Sequence, residues 1–135
     1  MLRLPHPLIM ALSGLILISA CGASPAAISD EDRTNIDCLA AKTVMNIAHT
    51  VRTSLENGAA PESLSGVEAD LTQAGAQRLS ELYRDMSSET YFRQQTSQRL
   101  TAMQNALSNR APDSPDQRLM DETMALARSC SFGAA

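Results

Sequence analysis

The sequence predicts an all-α fold, a four-helix up-down bundle closed by one disulfide, and three observations carry that expectation. Apolar residues recur at spacings of three and four through most of the chain after residue 29. Helix-start signals fall at Ser29, Ser65 and Ser114, each just ahead of a periodic run. Strand-like alternation of useful length is missing, as is any internal repeat. A chain of 135 residues fits a single domain, and with 2 Tyr, 2 Phe and no Trp its core must be built from Leu, Met, Val, Ile and Ala.

The first element is not part of that bundle. Met1 to Pro7 carries Arg3 and no acid, and Leu8 to Ala20 is then uncharged. The run is shorter than the roughly 20 residues that span a bilayer, and its order is that of an export signal removed by cleavage. Small side chains at Ser19 and Ala20 suit a peptidase groove, and the thiol of Cys21 is a soft nucleophile of the kind lipid transfer requires. Ile18-Ser19-Ala20-Cys21 resembles the lipobox of bacterial lipoproteins. The resemblance implies that residues 1–20 are removed and that Cys21 is lipidated with a diacylglyceryl thioether and an N-acyl group, an effectively permanent membrane anchor. By the same resemblance, Gly22 rather than Asp after the cysteine implies sorting to the outer membrane, and the domain is expected to face the periplasm. Residues 21–28 are mostly small and aperiodic, a flexible tether to a domain spanning 29–135.

The first helix is expected from Ser29, spaced with Asp32 as a capping box, to Asn57-Gly58. Ile36, Ala40, Val44, Ile47, Val51 and Leu55 share its buried face, and His49 falls on the polar side. Ser65-Gly66-Val67-Glu68 supplies a second capping box. Val67, Leu71, Ala74, Leu79, Leu82 and Met86 then form the stripe of a second helix ending near Ser87-Ser88. A third runs from about Glu89, with Tyr91, Phe92, Leu100, Met103 and Leu107 apolar, but Arg93 to Arg99 contains no apolar residue and is expected to bury little. The fourth has the clearest start: Ser114 as cap, Pro115 at the first helical position, Asp116 in the first turn. Leu119, Thr123, Leu126, Ala127 and Cys130 share its inner face.

Cys38 and Cys130 lie at the start of the first helix and the end of the fourth, the same end of an up-down bundle. In an oxidising compartment two such thiols pair. The bridge would close about 90 residues and stabilise by roughly 4 kcal/mol on the loop-entropy model. Redox chemistry favours a C-x-x-C spacing, which is absent. The odd third cysteine is Cys21.

Charge and motifs bound the function. With 11 basic and 15 acidic residues the net charge is −4, and loss of Arg3 with the leader makes it more negative, which argues against a nucleic-acid partner. The sequence contains no Gly-rich phosphate loop, H-E-x-x-H, G-x-S-x-G or C-x-x-C-H, so neither cofactor, metal nor catalytic residue is expected. Met120 and Met124, one helical turn apart, together with Met45, Met86 and Met103, have the chemistry of a thioether copper site, but Met also fills irregular core gaps, and core filling is the expectation. Asp113, Asp116, Asp121 and Glu122 crowd the start of the fourth helix, where carboxylates favour the macrodipole. The one local feature suited to carboxylate or phosphate contact is the polar run holding Arg93, Gln94, Gln95, Gln98 and Arg99, with a guanidinium at each end. These features point to a non-catalytic envelope lipoprotein, an interaction, assembly or inhibitory module whose partners are the membrane, through Cys21, and another envelope protein or a glycan. The alternative is a small metal-binding or catalytic envelope stress protein using His49, the methionines or the acidic cluster.

Overall fold

A computed structural model describes residues 28–132, and within them the protein is all-helical, with no strand. Residues 1–27, which include the expected leader, Cys21 and nearly all of the tether, and residues 133–135 lie outside the described residues. Four α-helices follow in order: α1 (Asp30–Glu56), α2 (Val67–Ser80), α3 (Met86–Asn109) and α4 (Pro115–Ser129), with a 3-10 turn at Pro61–Leu64. None of them is long and apolar enough to cross a membrane.

The longest helix, α1, spans 27 residues, about 40 Å at 1.5 Å per residue, and packs against the other three. It starts where the sequence signals, with the Ser29 hydroxyl accepting from the Asp32 amide at 3.1 Å and three acids in the first turn opposing the macrodipole. It ends in a Schellman closure: the Gly58 amide donates to the Leu55 carbonyl and the Ala59 amide to that of Ser54, with Gly58 at φ +88°, a conformation that costs a glycine little.

The expected capping box at Ser65 does not form. Ser65 is helical (φ −60°, ψ −26°), whereas a capping serine needs extended backbone, because the 3-10 turn from Pro61 runs on through it and Gly66 precedes α2 without a side-chain cap. The second boundary differs too. α2 stops at Ser80, well short of Ser87, because Asp85 takes an extended conformation and caps α3, its carboxylate accepting from the Ser88 amide at 2.8 Å and the Ser88 hydroxyl at 2.9 Å. Met86 therefore opens α3 and is 85% exposed, and Leu82 is also exposed, so neither belongs to an apolar stripe. α4 begins as expected, with the Ser114 hydroxyl accepting from the Gln117 amide at 3.1 Å.

The core has two parts strung along α1. Near its start, Ile28, Ile36, Leu39 and Ala40 pack with Ala76 and Leu79 of α2 and Phe92 of α3, flanked by Tyr83, Tyr91 and Phe132. Burying Phe92 completely is worth up to about 3 kcal/mol. This packing depends on Gly75: a Cβ there would stand 2.7 Å from Phe92 Cζ and 2.8 Å from the Thr43 hydroxyl, so only a glycine lets α2 approach so closely. Further along, Val44 and Ile47 pack with Leu100 and Met103. Cys38 and Cys130 are bonded, 6.0 Å apart at Cα, tying the start of α1 to the end of α4 across 92 residues.

Candidate functional site

The polar run of α3 does not form one surface. At 100° per residue, six positions place Arg93 and Arg99 about 120° apart around the helix, so the two guanidiniums cannot serve one ligand. Arg93 turns toward α2, donating to Gln73 Oε1 at 2.7 Å and pairing with Glu89 at 3.4 Å. Gln94 and Gln98 are exposed and Gln95 is half-buried. Arg99 is corrected outright as a surface contact: it is 3% exposed, inside the bundle. Its guanidinium donates to the Thr123 hydroxyl at 3.0 Å and lies 3.5 Å from Glu122 and 3.9 Å from Asp37. Thr96, at 1% exposure, is buried beside it, its hydroxyl donating back to the Phe92 carbonyl. The expectation that these turns bury little fails because Arg99 finds Thr123 and carboxylates of α1 and α4 that compensate part of its charge. Of the acids of α4, Glu122 pairs with Arg99 and Asp121 accepts from Gln117.

Around this network the tyrosines are structural. The Tyr91 hydroxyl donates to Asp37 at 2.9 Å, and burial, then the neighbouring Asp37 carboxylate, raise its pKa. Arg33 stacks 5.7 Å from the Tyr91 ring centroid. Burial likewise raises Tyr83, whose oxygen accepts from Asn35 at 3.1 Å. A cleft of 430 Å³ between α1 and α2 holds charges of both signs, Lys42 and Arg78 against Glu81.

The most distinctive concavity lies further from the disulfide, where α1, α3 and α4 leave a groove of 680 Å³ with an almost wholly apolar wall. α1 contributes Met45, Ala48, His49, Arg52 and Leu55, successive positions on one helical face. α3 supplies Leu100 and Met103 as a floor, with Gln104 and Leu107 above them. α4 closes it with Met120 and Met124. Leu55 and Leu107 are 44% and 60% exposed, so the groove opens to solvent between two uncovered leucines. His49 is exposed, as its place on the polar side of α1 implied, but it stands on this rim. No carboxylate lines the groove, and among the described residues no three His, Cys, Asp or Glu side chains are grouped to hold a metal ion.

Sequence periodicity places Met103 in an apolar stripe and reads the other methionines as core filling. It carries no signal that four of them meet at one opening, because that depends on the relative rotation of three helices. No protein-family model, curated protein or solved structure matches the chain.

Proposed function

We propose that the chain is a lipid-anchored protein of the cell envelope, held in the outer membrane through Cys21 and facing the periplasm. Its helical domain acts as a non-catalytic interaction, assembly or inhibitory module toward another envelope protein or a glycan. The observation that carries this reading is the Cys38–Cys130 bond. A disulfide between distant helices suits an oxidising compartment, and it uses two of the three cysteines, so Cys21 of the lipobox-like Ile18-Ser19-Ala20-Cys21 is the odd one.

An up-down-up-down course of the four helices fits the same picture. It is supported by the contacts between the starts of α1 and α3 (Asp37 with Tyr91), the start of α1 and the end of α4 (Cys38 with Cys130), and the start of α1 and the segment after α2 (Asn35 with Tyr83). The tether leads into α1 at the disulfide end, while the groove begins at Met45, about 22 Å along the axis from the helix start at Asp30. An anchor at Cys21 and a groove at the opposite end suit a domain that presents a binding surface away from the membrane.

The test is processing in a Gram-negative host. Wild-type chain is expected to lose residues 1–20, and an inhibitor of lipoprotein signal peptidase to block that cleavage. Cys21→Ala is expected to accumulate as precursor, and equal processing of both chains would overturn the anchor. Of the alternative reading, a metal-binding or catalytic stress protein, the metal-binding half has a specific observation in its favour: His49 and four methionines share one groove.

A further inference from the structure

Of the 7 methionines in the chain, Met45, Met103, Met120 and Met124 line the groove between α1, α3 and α4, together with His49. Their spacing makes this an ordered arrangement. Met45 and His49 are four residues apart on α1, and Met120 and Met124 four apart on α4, so each pair stacks on one helix face about 6 Å apart along the axis. Met45 and Met120 both pack against the core cluster that contains Met103, which brings the α1 and α4 pairs to opposite walls over the α3 floor.

Burial separates Met103 from the other three. Met103 is 6% exposed and serves the core, whereas Met45, Met120 and Met124 are only half-buried along an open groove. Their unbranched side chains, each with three rotatable bonds, are free to reorient their sulfurs. The donors in the lining are the thioethers, the His49 imidazole and the Gln104 amide oxygen, with no carboxylate. Soft thioether donors select Cu(I), whereas Mg²⁺ and Ca²⁺ require oxygen ligands. Arg52 also lines the groove, and its guanidinium pairs with Glu56 at 3.9 Å on the same helix.

We propose that the groove is a Cu(I) site, with the thioethers of Met45, Met120 and Met124 and the imidazole of His49 as ligands and Met103 beneath them. The ion enters and leaves as Cu(I), with no change of oxidation state. This inference rests on the metal-binding reading of the groove and is independent of lipidation.

The test uses the purified chain carrying Cys21→Ser, so that no free thiol competes, with the Cys38–Cys130 bond intact. Cu(I) is titrated in competition with bicinchoninate, and Ag(I), a soft ion needing no reductant, is titrated while the methionine methyl resonances are followed. The wild-type groove is expected to take one ion per chain and to shift the signals of Met45, Met120 and Met124 but not that of Met86, which lies outside it at the start of α3. Met120→Leu with Met124→Leu conserves volume and is expected to weaken Cu(I) binding by about tenfold or more, and His49→Gln to weaken it as well. Failure of the wild type to compete with bicinchoninate overturns the proposal, as do unchanged binding in the double variant or Ag(I) shifts confined to Met86. The wild-type Ag(I) spectrum decides the matter even if the double variant does not fold. Processing at Cys21 is scored separately, so a negative metal result leaves the anchor reading standing.

Discussion

Arg99 of α3 donates a hydrogen bond to Thr123 of α4 across 3.0 Å inside the bundle, and its Nε is buried with no partner. The guanidinium is therefore only partly compensated by Thr123, by the mostly exposed Glu122 and by Asp37. Removing one partner and removing the charge should differ in effect. Thr123→Val leaves a buried donor unpaired and is expected to cost about 1–3 kcal/mol. Arg99→Met removes the buried charge and leaves unpaired only carboxylates that reach solvent, Glu122 and Asp37, so it is expected to cost less than Thr123→Val. Urea midpoints of the two variants decide it: a loss in Arg99→Met as large as that in Thr123→Val would make the guanidinium a net stabiliser.

Gly75 should resist substitution despite lying inside a helix. Alanine gains about 1 kcal/mol of helix propensity, but its Cβ would press on Phe92 and on a Thr43 hydroxyl that donates to the Leu39 carbonyl at 2.8 Å. Overpacking of this kind costs about 1–3 kcal/mol, so Gly75→Ala is expected to be net destabilising. The penalty should shrink in a Phe92→Leu background, where the clashing ring atom is gone. Equal penalties in both backgrounds would assign the effect to something other than this contact.

The cap of α3 should respond to acid. The amide and hydroxyl of Ser88 hold the Asp85 carboxyl below the usual carboxylate range. A depressed folded pKa means stability that is present above the unfolded value, near 4, and lost as pH falls through the folded one. Asp85 is exposed, so solvent screens the charge, and the expected cost of Asp85→Ala is that of a lost cap, about 1 kcal/mol at neutral pH. The gap between the two chains in thermal midpoint should narrow on acidification. A gap unchanged down to pH 2 would contradict a charge-dependent cap.

How far these features can be read from sequence depends on how local their causes are. Ser29 and Ser114 are legible because cap and amide lie within three residues of each other, and the cysteine pair is legible because chemistry and topology agree on it. Asp85 carried a usable signal, a capping residue ahead of Ser87-Ser88-Glu89, but the apolar spacing of Leu82 and Met86 drew the second helix through it. The burial of Arg99 and the need for a glycine at 75 were beyond reach, since their partners come from other helices. The groove is the same case: the methionines are legible as apolar helix residues, their convergence is not.

The Cys38–Cys130 bond spans 92 residues, and opening it releases that loop in the unfolded chain. Replacing both cysteines with serine is expected to cost roughly 4 kcal/mol and to lower the denaturant midpoint accordingly. A reduction-sensitive shift in gel mobility should be present in wild type and absent in the variant. No change in midpoint would remove the staple from the stability of the domain.

The most direct test of envelope anchorage is mass spectrometry of the N-terminal peptide from protein extracted from the membranes of a Gram-negative host. The expected peptide begins at Cys21 and carries a diacylglyceryl thioether with an N-acyl group. A peptide beginning at any other residue, or a Cys21 without lipid, would contradict it.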